Sequence, residues 1–165
     1  MLIPFAPIHQ TGLVSLIGIN NQVDQNDYGA SVKIDLAAAA GAHPNAPISG
    51  EILHLTLISR EAGTGAVLAP AGVLYLFGAD PEVDAGDTAL ESLARAAVIA
   101  QVEVETTDWK ADAGGASATI FTKPVAFHAL PALWAAWLHE DATSYNDVAG
   151  DDETLQLNAW FRRDS

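Results

Sequence analysis

Apolar and polar residues alternate along much of this chain with a period of two, the spacing that sends successive side chains to opposite faces of a β-strand. The clearest run is 51–60. There Leu53, Leu55 and Leu57 are expected on one face and His54 and Thr56 on the other, with Ile58 an apolar residue on that second face. Residues 155–161 set Leu155, Leu157, Ala159 and Phe161 against Gln156, Asn158 and Trp160, and residues 101–106 set Val102 and Val104 against Glu103 and Glu105. The run 73–77 does not alternate. Val-Leu-Tyr-Leu-Phe is continuously apolar, which predicts a strand buried on both faces. Segments 13–19, 31–36 and 117–122 complete the strand set, the last stopped by Pro124, and Gly63-Thr64-Gly65 reads as a turn. Segment 130–139, with Trp134, Trp137 and Leu138, fits a helix or a buried strand; strands on both sides favour a strand.

One short helix is expected near residues 88–99. Thr88-Ala-Leu-Glu91 has the spacing of a capping box, in which Thr88 and Glu91 each satisfy a backbone donor left over at a helix start. Leu90, Leu93, Ala94, Ala97 and Val98 then fall on one helical face. Eight or so short strands with one helix predict a mainly β fold, a single β-sandwich domain over residues 1–165 of jelly-roll type. Helices are too few for a parallel α/β sheet.

The chain has 165 residues, half of them hydrophobic, which is enough to hold a core without covalent staples. Cysteine is absent, so disulfides, thiolate metal sites and cysteine nucleophiles are excluded. Twenty-one acidic residues against seven basic ones give a net charge of −14. That field repels phosphate backbones and anionic lipid surfaces, so neither nucleic acid nor membrane is expected as a partner. No apolar run approaches the ~20 residues of a membrane-spanning helix. The first basic residue is Lys33, and Pro4, Pro7, His9 and Gln10 break up the opening segment, so it does not read as a secretory signal.

Candidate chemistry is sparse. Asp80, Glu82, Asp84 and Asp87 bring four carboxylates into one loop, where they could converge on a hard cation such as calcium. The sixth position of an EF-hand loop counted from Asp80 is Ala85 rather than glycine, and a strand rather than a helix precedes it. The competing account is an acidic loop ahead of a helix start, where negative charge is favourable. No resident cofactor is otherwise expected. Asp147, Asp151, Asp152 and Glu153 form a second acidic loop, read as solvated. His9, His43, His54, His128 and His139 show no metal-ligand spacing and are read as structural. There is no Gly-x-Ser-x-Gly elbow and no phosphate-binding loop. Of Trp109, Trp134, Trp137 and Trp160, the last shares its face with Gln156 and Asn158 and is the one expected at the surface. An exposed tryptophan anchors an interface or stacks on a sugar.

The stretch 53–81 (LHLTLISREAGTGAVLAPAGVLYLFGADP) resembles tailed-bacteriophage virion structural proteins, as do 98–109 (VIAQVEVETTDW), 124–128 and the closing stretch that runs from Ala149-Gly-Asp-Asp-Glu to Leu-Asn-Ala-Trp-Phe-Arg-Arg-Asp-Ser165. The resemblance carries no catalytic residue. It implies a non-enzymatic β-sandwich on the outside of a phage particle, a capsid decoration or cement protein that stabilises the shell. Its partners would be the major capsid protein or other virion subunits, together with copies of itself in a homo-oligomer, and its place would be the virion. On this reading residues 1–10 form an N-terminal arm. Leu2, Ile3, Phe5 and Ile8 of the arm, Trp160, and the adjacent cations Arg162 and Arg163 are the expected partner-binding residues. The alternative is a carbohydrate-binding module, on a phage tail or receptor-binding component. A hydrolase built on a spatially close carboxylate pair ranks third.

Overall fold

Two long strands, paired antiparallel, carry the architecture. In this computed structural model the residues described are 6–17, 22–43, 45–60, 69–112, 115–120, 124–142, 144–145 and 154–164. Their strands, in chain order, are β1 (Ile8–Gln10), β2 (Val14–Ile17), β3 (Val32–Ile34), β4 (Ile48–Arg60), β5 (Gly72–Phe77), β6 (Val98–Val104), β7 (Lys110–Asp112), β8 (Gly115–Ile120), β9 (Val125–Leu130), β10 (Leu133–His139) and β11 (Thr154–Arg163). Two short helices, α1 (Leu36–Ala39) and α2 (Ser92–Ala97), and a 3₁₀ turn at Thr106–Asp108 complete the set.

β4 and β11 lie at the centre of a seven-stranded antiparallel sheet. The free side of β11 takes β2 along one half and β1 along the other; the free side of β4 takes β8 and β9 in the same manner, and β7 lies outside β8. The second sheet has four strands in the order β3, β10, β5, β6, also antiparallel. The protein is thus mainly β, with two antiparallel sheets, as the alternation predicts. The strands divide seven and four rather than as the eight of a simple jelly roll.

The core between the sheets is built from the alternation. Leu55 and Leu57 of β4 and Leu155, Leu157, Ala159 and Phe161 of β11 are fully buried, and meet Leu74, Leu76, Leu133, Ala135 and Trp137 of the second sheet in one cluster. Each such leucine contributes about 1.5–3 kcal/mol through burial. Leu53 departs from the expected pattern. The β4–β11 register steps between Trp160, opposite His54, and Phe161, opposite Ile52, so Leu53 has no partner. This bulge hands the core position to Ile52, which is fully buried, and leaves Leu53 half-buried.

The central strands of the second sheet, β10 and β5, are covered on their outer face as well, whereas β6 leaves Ile99, Gln101 and Glu103 exposed. Leu74 and Leu76 point into the main core, whereas Tyr75 and Phe77 belong to a second cluster on the outer face with Tyr28, Val83, Leu90, Ala94 and Ala136. The segment from Asp80 through α2 supplies Val83, Leu90 and Ala94 and covers that face. This explains why β5 is apolar without interruption.

The expected helix at 88–99 is shorter than its pattern. α2 starts after Glu91, which is extended and makes no side-chain cap bond, so the Thr88–Glu91 capping box does not form. Pairing sets the C-terminal end, since Val98 sits opposite Phe77 in β6; at the other end the chain is tied to the segment carrying Tyr28 through the Asp87 carbonyl. With the helix truncated, Leu90 and Ala94 are buried and Leu93 is 85% exposed. Segment 130–139 resolves as a strand, β10. β9, β7 and α1 were not signalled by periodicity; α1 begins at Asp35, whose carboxylate accepts a bond from the Ala38 amide at 2.9 Å.

Candidate functional site

The outer face of the seven-stranded sheet follows from the same alternation, read on its polar side. Register places Gln10, Trp160 and His54 in one row across β1, β11 and β4, and Ile8, Arg162, Glu51 and Ala126 in the next. Asn158 pairs with Thr56, and Gln156 with Ile58. Among the described residues neither hydrophobic cluster extends over this face, and its central side chains are half-buried. Of the expected partner-binding residues, the structure therefore gathers Ile8, Trp160 and Arg162 on one surface. Ile8 is 60% exposed.

Trp160 is not freely exposed as expected. Its indole stacks on the His54 imidazole with centroids 5.2 Å apart and planes at 23°. Arg162 forms a salt bridge with Glu51 of the neighbouring strand, so its cation is matched within the chain. Arg163 is exposed opposite Gly50. Leu2, Ile3 and Phe5 lie outside the described residues. Within the expected arm, residues 8–10 pair as β1 with β11. The Gly63-Thr64-Gly65 turn and the second acidic loop also lie outside the described residues.

The Asp80 loop is not assembled around a cation. The Asp80 carboxylate accepts from the Glu82 amide and the Asp87 carboxylate from the Asp84 amide, each at 3.0 Å. Backbone bonds stitch the loop to the segment carrying Tyr28: the Tyr28 amide donates to the Asp87 carbonyl, the Gly86 amide to the Tyr28 carbonyl, and the Ser31 amide to the Val83 carbonyl. Val83 and Pro81 are buried while all four carboxylates face solvent. Among the described residues no three His, Asp or Glu side chains come together as a metal-binding group. Two of the four carboxylates instead hold the loop's own amides, and the loop covers the second hydrophobic cluster. Asp80, Glu82 and Glu91 do border a groove of about 270 Å³, but as exposed side chains rather than as a pocketed acid–base pair.

A second cleft, of about 390 Å³, opens on the outer side of the small sheet between the covering segment and β6. Tyr28, Tyr75, Thr88, Leu90, Arg95 and Gln101 line it. Burial, and then the adjoining Tyr75 hydroxyl, push the Tyr28 phenol well above its ordinary value. No motif signalled this cleft, because its residues come from four separate segments.

Among the described residues the buried polar side chains are Ser59 and His139, both beside the buried Tyr145. The Ser59 hydroxyl and Tyr145 hydroxyl are 3.0 Å apart, and the His139 ring stands edge-on to Tyr145. All three are at most 1% exposed, which closes them to substrate. His9 packs on Phe161, and the His128 ring is 3.1 Å from the Ser49 hydroxyl. Trp109 is buried with its indole N–H donating to the Pro70 carbonyl at 3.0 Å. Compared with known families, the sequence matches no family model. No curated protein matches it either.

Proposed function

We propose that this protein is a non-enzymatic assembly component that docks face-on, through the outer surface of its seven-stranded sheet, onto subunits of a larger particle. The observation that carries this reading is the asymmetry of the two sheets. The chain's own segment from Asp80 through α2 covers the outer face of the small sheet over β5 and β10 and leaves the β6 edge exposed, whereas the large sheet gathers Trp160, Ile58 and Ile8 on its outer face, with Ile8 60% exposed. A sheet face is a rigid platform, and a partly buried tryptophan on it, flanked by Gln10, Asn158 and Arg162, has the make-up of an interface anchor with a polar surround. A net charge of −14 favours a partner surface with basic groups.

The segments that resemble phage virion proteins support capsid decoration as the setting, with the major capsid protein as partner and further copies of this chain as neighbours in a homo-oligomer. The carbohydrate-binding alternative relies on the same Trp160, and the stack with His54 weighs against it. One face of the indole is already covered by the imidazole, which leaves at most its other face to a sugar.

Light scattering after gel filtration of the wild type and of Trp160→Ala tests the reading. A wild-type assembly larger than one chain, reduced by the substitution with the far-ultraviolet circular dichroism unchanged, is expected. An assembly indifferent to Trp160→Ala, or a protein that is monomeric at every concentration, would sink face-on docking between copies.

A further inference from the structure

The cleft between the covering segment and β6 lies on the other side of the sandwich from the docking face, and its lining has a chemistry of its own. Tyr75 and Gln101 are cross-strand neighbours on β5 and β6, so both point to the outer face. Tyr28 stands beside Tyr75, with ring centroids 5.6 Å apart and planes at 58°. Arg95, in the last turn of α2, is held at the rim: its Nε donates to the Leu90 carbonyl at 2.8 Å. That bond fixes the guanidinium plane and leaves the terminal nitrogens for other acceptors. Among the described residues Arg95 forms no ion pair, and none of the cleft's lining residues is acidic. In a chain with three times as many acids as bases, an arginine set beside two phenols without a carboxylate partner is a placed donor.

The geometry points to this cleft as a binding site for a small carboxylated ring. The carboxylate pairs with the Arg95 guanidinium, which presents planar forked donors suited to two oxygens. The ring lies against Tyr75 and Tyr28, and the Thr88 hydroxyl and Gln101 amide meet its polar substituents. The volume of about 390 Å³ suits a single ring with substituents rather than an extended chain. Thr88 and Gln101 favour a hydroxylated ring, a sugar acid; the tyrosines alone would also take an aromatic acid. The shared chemistry is the carboxylate on a six-membered ring. This inference does not rest on the docking reading, because the two surfaces share no residue.

Amide chemical-shift titrations of the isotope-labelled full chain separate the alternatives. The probes are D-glucuronate, benzoate, their neutral counterparts D-glucose and benzyl alcohol, and acetate. Saturable shifts with glucuronate or benzoate, confined to Tyr28, Tyr75 and residues 88–101, are expected, and which acid binds more tightly names the source of the ring. Arg95→Gln should weaken that acid at least about tenfold. Arg95→Lys, which keeps the charge but not the fork, should retain part of the affinity. The spectra themselves report whether each variant is folded. No saturable shift with either acid, equal binding of the neutral counterparts, equal binding of acetate, or indifference to Arg95→Gln in a folded variant would each overturn the assignment.

Discussion

Trp160 lies opposite His54 across the β4–β11 ladder, and their rings stack at 5.2 Å with only 23° between planes. The pair sits one step before the bulge at which Ile52 takes the core position opposite Phe161. It therefore reports on register as well as on packing: a slipped β4 would bring Leu53 beneath the indole in place of the imidazole. A double-mutant cycle with Trp160→Ala and His54→Ala, measured by urea unfolding, should give a favourable coupling of about 0.5–1 kcal/mol. Additive effects would mean that the rings are neighbours without an energetic contact.

Gly72 opens β5 where the chain passes Trp137 of β10. A Cβ built there would stand 2.5 Å from Trp137 Cζ2 and closer still to the Leu138 carbonyl oxygen. The indole is fully buried and has no room to withdraw. Gly72→Ala should destabilise the fold by about 1–3 kcal/mol through overpacking, seen as a lower urea midpoint with an unchanged slope. Gly41→Ala provides a contrasting test. Gly41 has φ +66° but nothing within 4 Å of its would-be Cβ, so its cost should come only from the left-handed backbone and be smaller, about 1 kcal/mol.

Asp24 accepts hydrogen bonds from the Ser144 hydroxyl at 2.6 Å and the Gln22 amide at 2.7 Å. These bonds, the Ser144 one foremost, hold its carboxyl below the ordinary value, with His139 adding a smaller favourable charge effect against a small desolvation penalty. A folded-state pKa below the unfolded one stabilises the native protein above the unfolded value and loses that contribution as pH falls through the folded value. Stability should therefore decline on acidification below about pH 4, where unfolded aspartate titrates. Asp24→Asn should flatten part of that decline and do little at pH 7 beyond the loss of the charge-assisted bonds. An unchanged slope of unfolding midpoint against acid pH in the variant would show that Asp24 takes no part.

The carboxylates of Asp80, Glu82, Asp84 and Asp87 face solvent without converging, so calcium has no built cage to enter. A ligand that binds only the native state raises the melting temperature in proportion to the logarithm of its concentration. Addition of millimolar calcium should leave the melting temperature where chelator leaves it. A calcium-dependent rise that vanished in Asp84→Asn would restore the loop as a cation site.

Side-chain alternation is a local property, so the sequence alone determined the class of fold and most of its strands. The core faces of β11 and the doubly buried β5 were legible in Leu155, Leu157, Ala159 and Phe161 and in the unbroken run from Val73 to Phe77. The pairing of strands far apart in sequence was not legible, and the tertiary structure decided everything that depends on it. The bulge that exchanges Leu53 for Ile52 arises from the register of β4 against β11. The helix expected to run to 99 stops at Ala97 because Val98 pairs with Phe77, and a sheet pairing outweighs a marginal short helix. The same long-range register sets Arg162 on Glu51, Trp160 on His54, and Tyr28, Tyr75, Arg95 and Gln101 around one cleft. A binding surface gathered from separate strands exists only once those strands are hydrogen-bonded in one order, and that order is fixed by the burial of the whole core rather than by any single segment.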